Sequence, residues 1–442
     1  MTDPKALMTR LRRIARLPLI SPRQWLRRVV FWTGALLVAT VAIAFALLAD
    51  RAADLFVRIQ APHPWIAFVI CPAGLVVAFL LTRHVFPGAQ GSGIPQVIAA
   101  QHMTDRAAIA RVLSLRVALG KVGLTLLGLA CGASIGREGP TVQVGAAIMH
   151  AFGRLLRLPR LDLERALVLA GGAAGVAAAF NTPLAGVVFA IEELSHAFES
   201  RTSGVVLTAV IIGGITTLAL VGNYSYFGHT NAVLDFGRGW IAVVLCSIAG
   251  GLAGGLFSAA LVRFASGLPG RLGRLLVRYP VVFAAACGLA IALCGVLSGG
   301  QTYGTGYEQA RGMVEGHTTL PAAYPVLKFV ATVVSYVSGI PGGIFAPSLS
   351  VGAGLGQALS HLMPLAPSGA VVLLGMVAYF SGVVQAPITA AVIVMEMTDN
   401  QGMTVALLAT SFLAFGVSRL VCRRPLYAAL ARRFLEAQAG TR

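Results

Sequence analysis

A carboxylate, Glu138, lies between two glycines in the motif Gly-Arg-Glu-Gly-Pro at 136–140, within a chain that is otherwise strongly apolar. Two further breaks rich in glycine and proline interrupt apolar sequence: Gly-Ser-Gly-Ile-Pro at 91–95 and Gly-Gly-Ile-Phe-Ala-Pro at 342–347. Each break is predicted to end where a helix begins, because proline is favoured in the first helical turn. Ionisable side chains at membrane depth usually mark an ion or proton pathway. The sequence therefore predicts a transport site built from broken helices.

The starts of these predicted helices are candidate anion-binding groups. A helix N-terminus has unpaired N–H groups and a partial charge of about +0.5, so it binds an anion without burying a full positive charge. Ser92 adds a hydroxyl donor, whereas Ile344 and Phe345 offer backbone N–H groups beside apolar side chains that exclude water. Ionised Glu138 can itself occupy an anion position, and protonated Glu138 can be displaced by an incoming anion. One side chain would then carry the proton and compete with the anion, which couples their movements.

Five other side chains each allow two interpretations of their role. Glu192 and Glu193 end an apolar helix, either as a separate cytoplasmic route for protons or as a solvated helix end. Lys121 and Lys328 are two of three lysines in the chain, and they either tune the site as buried charges or extend to the membrane interface. Tyr427 either donates a hydrogen bond to an anion or anchors the chain at the interface.

The composition places the chain in a membrane. Of its 442 residues, 57% are hydrophobic and 11% are charged, whereas soluble domains have about 25% charged residues. The net charge of +18 does not indicate nucleic-acid binding, because the arginines cluster beside apolar segments, at 10–28, 263–278 and 419–433. Basic residues flank membrane spans on the cytoplasmic side, so both termini are predicted to be cytoplasmic, in the cell (inner) membrane, after an even number of crossings.

The two halves of the chain match in register. The matched positions lie at equal distances from corresponding prolines, and they are Lys121 with Lys328, Gly136 with Gly343, Gly145 with Gly352, and Glu192 with Glu396. The stretch Asn-Thr-Pro-Leu at 181–184 also resembles Gln-Ala-Pro-Ile at 385–388. Short hydrophobic segments interrupted by glycine and proline at corresponding positions of two halves are typical of transporters with internal repeats. An odd number of crossings in each half would make the repeats inverted.

The predicted fold is therefore an all-α polytopic membrane protein of two inverted repeats, made of tilted and broken helices. The repeats are predicted at about 31–222 and 239–421, within a transmembrane domain at 31–435. Residues 1–30 are predicted to form a basic cytoplasmic or interfacial segment, and residues 436–442 a C-terminal tail.

Four motifs in order resemble the filter motifs of the CLC chloride channel/transporter family: 91–95, 136–140, 343–347 and Pro-Leu-Tyr at 425–427. The resemblance covers about residues 30–435 and implies a homodimer, each subunit with its own anion pathway. It also implies a role for each motif residue. Chloride would be held by the hydroxyls of Ser92 and Tyr427 and the backbone amides of Ile344 and Phe345, with Glu138 as the external gating glutamate, and the predicted anion site also includes Gly93, Ile94, Arg137 and Gly139.

The same resemblance assigns Glu193 to the internal proton-transfer position and Glu192 to a supporting role in water or proton access. It implies a chloride/proton antiporter, with a passive chloride channel of the same family as the alternative. Ser92 favours chloride over nitrate, and the intact motifs argue against the fluoride-exporting branch. The sequence departs from well-known bacterial exchangers at Gln96 and Ile98, where acids stand in those relatives, so Lys121 lacks the acidic partner that it would have there.

Two other classes are less well supported. An intramembrane hydrolase using Ser92 would need a positioned base, and His84 and His102 flank the motif in predicted loops. A cation transporter would follow from the carboxylates alone, but helix N-termini at three breaks favour anions. The six cysteines show neither metal nor disulfide spacing. The chain is therefore predicted not to be an enzyme and to need no metal or cofactor, with chloride, protons and membrane lipid as its partners and no nucleic acid.

Overall fold

The computed structural model describes residues 22–155, 161–195, 200–222, 224–363 and 366–439, and regular structure within these ranges is helical. The first half contains α1 (Pro22–Gln60), α2 (Ala67–His84), α3 (Ile94–His102), α4 (Arg106–Val112), α5 (Leu115–Ala130), α6 (Glu138–Leu155), α7 (Leu161–Phe180), α8 (Pro183–Phe189) and α9 (Ser200–Val221). The second half contains α10 (Ile241–Ala265), α11 (Gly270–Arg278), α12 (Pro280–Leu297), α13 (Tyr307–Val314), α14 (Tyr324–Val337), α15 (Phe345–Ser360), α16 (Ser368–Val384), α17 (Pro387–Met397), α18 (Thr404–Val421) and α19 (Leu426–Ala439). A π-helical turn, Ala190–Ser195, extends α8. The all-α prediction is confirmed.

Within the described ranges, eight helical segments are long and apolar enough to cross a membrane, and α14, α16 and α17 are shorter apolar helices. The chain is therefore a polytopic membrane protein in which full-length and short helices are combined. Helix α1 begins at Pro22 and α19 ends at Ala439, so helices continue past both limits of the predicted transmembrane domain. Those limits stay predictions, and residues 1–21 of the basic segment lie outside the described residues.

The centre of the molecule is a buried helix, α16, whose residues 370–384 are all buried against α10, α15 and α18. Helices approach closely at glycines in both halves, as in other membrane proteins where small residues allow close packing. In α15 and α16, a methyl group added to Gly352 would lie 2.7 Å from the Gly375 carbonyl oxygen. In α6 and α7, Gly145 packs against Gly171 in the same way. The matched glycines of the two halves therefore make equivalent helix contacts.

Helices α8 and α17 show directly that the halves are inverted. The Glu192 carboxylate, beyond the end of α8, accepts hydrogen bonds from the backbone N–H groups of Ile388 and Thr389 at 3.1 and 2.6 Å, in the first turn of α17. The Glu396 carboxylate, near the end of α17, accepts from the first turn of α8, at Leu184 and Ala185, at 3.1 and 2.8 Å. Because each helix end meets the start of the other helix, the two matched helices run antiparallel.

Candidate anion and proton site

Backbone hydrogen bonds join the three breaks to one another. Gly136 and Gly343, which occupy matching positions of the two repeats, exchange two N–H···O bonds of 2.7 Å. The third break is attached beside them, because the Gly91 N–H donates to Ile340 at 3.2 Å and the Gly91 carbonyl accepts from Gly342 at 3.1 Å. The starts of α3, α6 and α15 therefore meet at one place in the protein interior.

Glycine is required where the first break lies against α6. Gly93 precedes α3 with φ of +102°, a backbone conformation that side chains other than glycine rarely adopt. A methyl group on Gly139 would lie 2.5 Å from Ser92 Oγ and 2.8 Å from the Ser92 carbonyl oxygen. Gly139 therefore lets Ser92 lie directly against the start of α6, with Ile94 beginning the adjacent α3. This explains two glycines that were predicted as part of the anion site.

Two buried hydroxyl groups face each other at this point. Ser92 and Tyr427 are both fully buried, and neither hydroxyl makes a hydrogen bond of normal geometry within the part of the chain that the structure describes. The Phe345 ring lies with its centroid 6.1 Å from that of Tyr427, and Ile344 precedes it at the start of α15 with 1% exposure. The interfacial reading of Tyr427 is wrong, because this side chain is inside the protein.

Glu138 begins α6 and is completely buried. Its Oε1 accepts a hydrogen bond from the Tyr226 hydroxyl at 3.2 Å, while its carboxylate also faces the backbone N–H of Ala346 in the first turn of α15. The other oxygen, Oε2, packs against Gly136 and makes no hydrogen bond of normal geometry within the described ranges. The carboxylate therefore lies at the meeting point of two helix starts.

Arg137 directs its guanidinium group towards α1 rather than towards Ser92. Its Nη1 donates to the Ala46 carbonyl and to Asp50, whose side chain is 48% exposed. Its Nη2 lies 3.4 Å from the Tyr226 hydroxyl. A connected series therefore runs from Asp50 through Arg137 and Tyr226 to Glu138. Sequence reasoning missed Asp50 and Tyr226, because neither lies in a glycine-rich break or in a matched position of the repeats.

The adjacent glutamates at the end of α8 have different surroundings. Glu193 is 2% exposed, and its Oε1 has no hydrogen-bond partner among the described residues. Tyr427 is close enough to interact electrostatically with both Glu193 and Glu138, the two predicted proton-transfer residues. The carboxylate of Glu192 is instead bound to the first turn of α17. The alternative prediction, a solvated helix end, is therefore wrong for Glu193.

The two matched lysines are buried, so the reading in which they extend to the interface is wrong. Lys121 Nζ donates to the carbonyls of Gln90 and Gly91 at 3.3 and 2.8 Å, and the Gln96 amide also donates to Gln90, at 2.6 Å. Backbone carbonyls thus bind the Lys121 side chain, which has no acidic partner at position 98 because that residue is isoleucine. Lys328 Nζ donates in the same way to carbonyls at 302 and 304, at 2.9 and 2.8 Å.

A hydrolase site at Ser92 is not formed by His102. The His102 ring nitrogen Nδ1 lies 2.9 Å from the Ile98 carbonyl within the same helix. It is at the far end of α3 from Ser92. Ser92 therefore lacks this histidine as a general base.

The fold and the site define an α-helical membrane transport protein with inverted halves and a central site made by broken helices. The chain belongs to the voltage-gated chloride channel (CLC) family, whose model matches residues 73–419. Two curated relatives are the H(+)/Cl(-) exchange transporters ClcA of Yersinia pestis bv. Antiqua (strain Angola) and Yersinia pseudotuberculosis serotype O:3 (strain YPIII). Each is 31% identical over 400 residues, which cover 85% of this chain and 80% of the relative.

Solved structures share the fold. A slow cyanobacterial Cl⁻/H⁺ antiporter matches with a TM-score of 0.78 and 23% identity, over 93% of this chain and 98% of that one. A eukaryotic CLC transporter matches with a TM-score of 0.75 and 23% identity, over 92% and 74%. A CLC-type fluoride/proton antiporter matches with a TM-score of 0.75 and 22% identity, over 90% and 96%. The predicted family and fold are confirmed, while the choice of anion has to be argued from the residues of the site.

Proposed function

We propose that this protein is a chloride/proton antiporter. The observation that carries the proposal is the position of Glu138, whose buried carboxylate lies on the first turns of α6 and α15, where an anion would also bind. Relatives that are 31% identical are named as exchangers of these two ions, which supports the proposal. No metal or cofactor has a role in it.

In this proposal chloride is held beside Glu138 by the two facing hydroxyls and by helix N–H groups. Buried polar groups are normally hydrogen-bonded, and the hydroxyls of Ser92 and Tyr427 would both donate to one anion between them. The backbone amides of Ile344 and Phe345 begin α15 and add its N-terminal partial charge. Gly93, Ile94 and Gly139 contribute through the close backbone packing at the start of α3. Arg137 contributes its charge from the position next to Glu138.

Glu138 acts as the gate, because its carboxylate and chloride compete for the same N–H donors. Protonation neutralises the carboxylate and lets chloride replace it. Because the proton stays on Glu138 while chloride takes its former position, the movements of the proton and of the anion are coupled. Glu193 passes protons to this gate from the cytoplasmic side, past Tyr427, which is close to both glutamates. Glu192 supports this route by attaching the end of α8 to α17, which holds the adjacent Glu193 in the interior.

Liposomes that contain the purified protein under an imposed chloride gradient test the proposal, with external pH and chloride recorded together. We expect protons to move against their gradient in the unmutated protein. Glu138→Ala and Glu193→Ala should abolish proton movement while chloride still flows. Glu308→Gln is a matched control, since Glu308 is an exposed carboxylate in the first turn of α13. Chloride flux without proton movement in the unmutated protein would instead identify the alternative, a passive chloride channel.

We also propose that the protein works as a homodimer in the lipid of the cell (inner) membrane, with both termini in the cytoplasm. Each subunit would carry its own pathway, since all site residues come from one chain. The mass of the solubilised protein by light scattering tests the dimer, and a single-chain mass would contradict it.

A further inference from the structure

Tyr226 places a hydroxyl group at the gate, although it belongs to none of the four motifs. The side chain is 1% exposed and lies in the irregular segment after α9. Its hydroxyl is 3.2 Å from Glu138 Oε1 and 3.4 Å from Arg137 Nη2. A phenol has one hydrogen to donate and can accept at the same oxygen. Because arginine only donates, the hydroxyl must accept from Arg137 and direct its own hydrogen at the Glu138 carboxylate.

The surroundings hold this hydroxyl in place. The Tyr226 ring packs edge-on against Phe180, Phe227 and Tyr307, with centroid distances of 5.5, 4.9 and 4.8 Å. The backbone N–H of Phe227 donates to the Met397 carbonyl at 2.9 Å, which attaches the segment to the end of α17. Arg137 is itself held by Asp50 on α1. The hydrogen-bond donor at the gate is therefore preorganised by packing and does not depend on Glu138 for its position.

We propose that the Tyr226 hydroxyl is a further anion ligand, which binds chloride at the position that the Glu138 carboxylate occupies. When protonated Glu138 leaves this position, the buried O–H group needs another acceptor, since an unsatisfied buried donor is costly. A chloride ion that replaces the carboxylate supplies that acceptor and meets the same Ala346 N–H group. Tyr226 thus serves the carboxylate and the chloride in turn. The inference rests on the proposed function for the identity of the anion.

Chloride titration by isothermal calorimetry tests the inference in the Glu138→Ala protein, where no carboxylate competes. Adding Tyr226→Phe should weaken chloride binding at this outer position about tenfold, the effect of losing one hydrogen bond to a charged partner. Tyr307→Phe is the matched control, because its ring touches Tyr226 while its hydroxyl accepts from Arg311 at 3.3 Å. It should leave the affinity unchanged. Equal affinities in all three proteins, or equal losses in both tyrosine variants, would overturn the inference.

Bromide soaked into crystals of the Glu138→Ala protein gives a second test that leaves every tyrosine in place. Anomalous scattering should show bromide within hydrogen-bonding distance of the Tyr226 hydroxyl, and bromide bound elsewhere only would overturn the inference. Neither measurement uses a proton gradient. A protein that fails the exchange experiment as a passive channel can still bind anions at Tyr226, so the two proposals fail separately.

Discussion

Lys121 and Lys328 each bury an amino group that donates to two backbone carbonyls. Burial of a polar group is costly unless hydrogen bonds replace those to water, and here the carbonyls do so. The carbonyls bound by Lys121 belong to residues 90–91, directly before Ser92. Those bound by Lys328 belong to the loop at 302–304. The two lysines are therefore equivalent in chemistry, but only Lys121 holds a loop that carries a proposed anion ligand, Ser92.

Replacing either lysine by methionine should reveal this difference. Lys121→Met removes one donor from each of two buried carbonyls, which keep the Gln96 amide and the Gly342 N–H as their other donors. The loss of two hydrogen bonds should lower the free energy of unfolding by about 2 kcal/mol. Chloride affinity should also fall several-fold, because Ser92 is no longer held against Gly139. Lys328→Met is the matched control and should lower stability by a similar amount without changing chloride affinity. Thermal unfolding and chloride titration in detergent measure both effects; an unchanged affinity in Lys121→Met would contradict the expectation.

At the scale of elements, the starts of α3, α6, α8, α15 and α17 are each supported by another break or by an acidic side chain. The starts of α6 and α15 exchange backbone hydrogen bonds through Gly136 and Gly343. Backbone N–H groups at the start of α8 donate to the Glu396 carboxylate, and those at the start of α17 donate to the Glu192 carboxylate, in each case from the opposite repeat. Helix starts leave N–H groups unpaired, so this mutual support explains how short helices remain stable in an apolar interior.

The contact between Gly139 and Ser92 predicts an effect of one methyl group. Gly139→Ala would put Cβ 2.5 Å from Ser92 Oγ, so the 91–95 break must shift away from α6. We expect chloride affinity to fall at least several-fold in a protein that still folds with reduced stability. Gly123→Ala is the control, because a methyl group there meets nothing within 4 Å and alanine is favoured over glycine in helices by about 1 kcal/mol. Unchanged chloride binding in Gly139→Ala would show that Ser92 does not need this contact.

At the scale of the whole molecule, the position of the basic residues predicts which side of the membrane each loop faces. The segment that carries Tyr226 precedes α10, and the basic residues at 263–278 follow it. Helix α10 is part of a segment long and apolar enough to cross the membrane. We therefore expect the segment that carries Tyr226 and the basic loop to lie on opposite sides of the membrane, with the basic loop on the cytoplasmic side by the positive-inside rule.

Cysteine accessibility in intact cells tests this orientation. All six native cysteines are buried, so a membrane-impermeant maleimide should react mainly with introduced thiols. His229 lies three residues after Tyr226 and its side chain is half-exposed, so His229→Cys should be labelled from outside. Arg271→Cys, on exposed α11, should be labelled only after permeabilisation. The opposite pattern would reverse the predicted topology.

The sequence by itself determined the membrane class, the all-α inverted repeat, the family and the four motifs, because these features are local patterns of hydropathy, glycine and proline. The tertiary structure decided which side chains meet. Tyr226 donates to Glu138 from 88 positions away, and Asp50 binds Arg137 from 87 positions away. The same holds for Glu192, whose carboxylate caps a helix of the other repeat while its neighbour Glu193 points into the interior. Local patterns set where a helix breaks, but the partner of a buried polar group depends on packing between distant segments, since any nearby donor or acceptor can satisfy it.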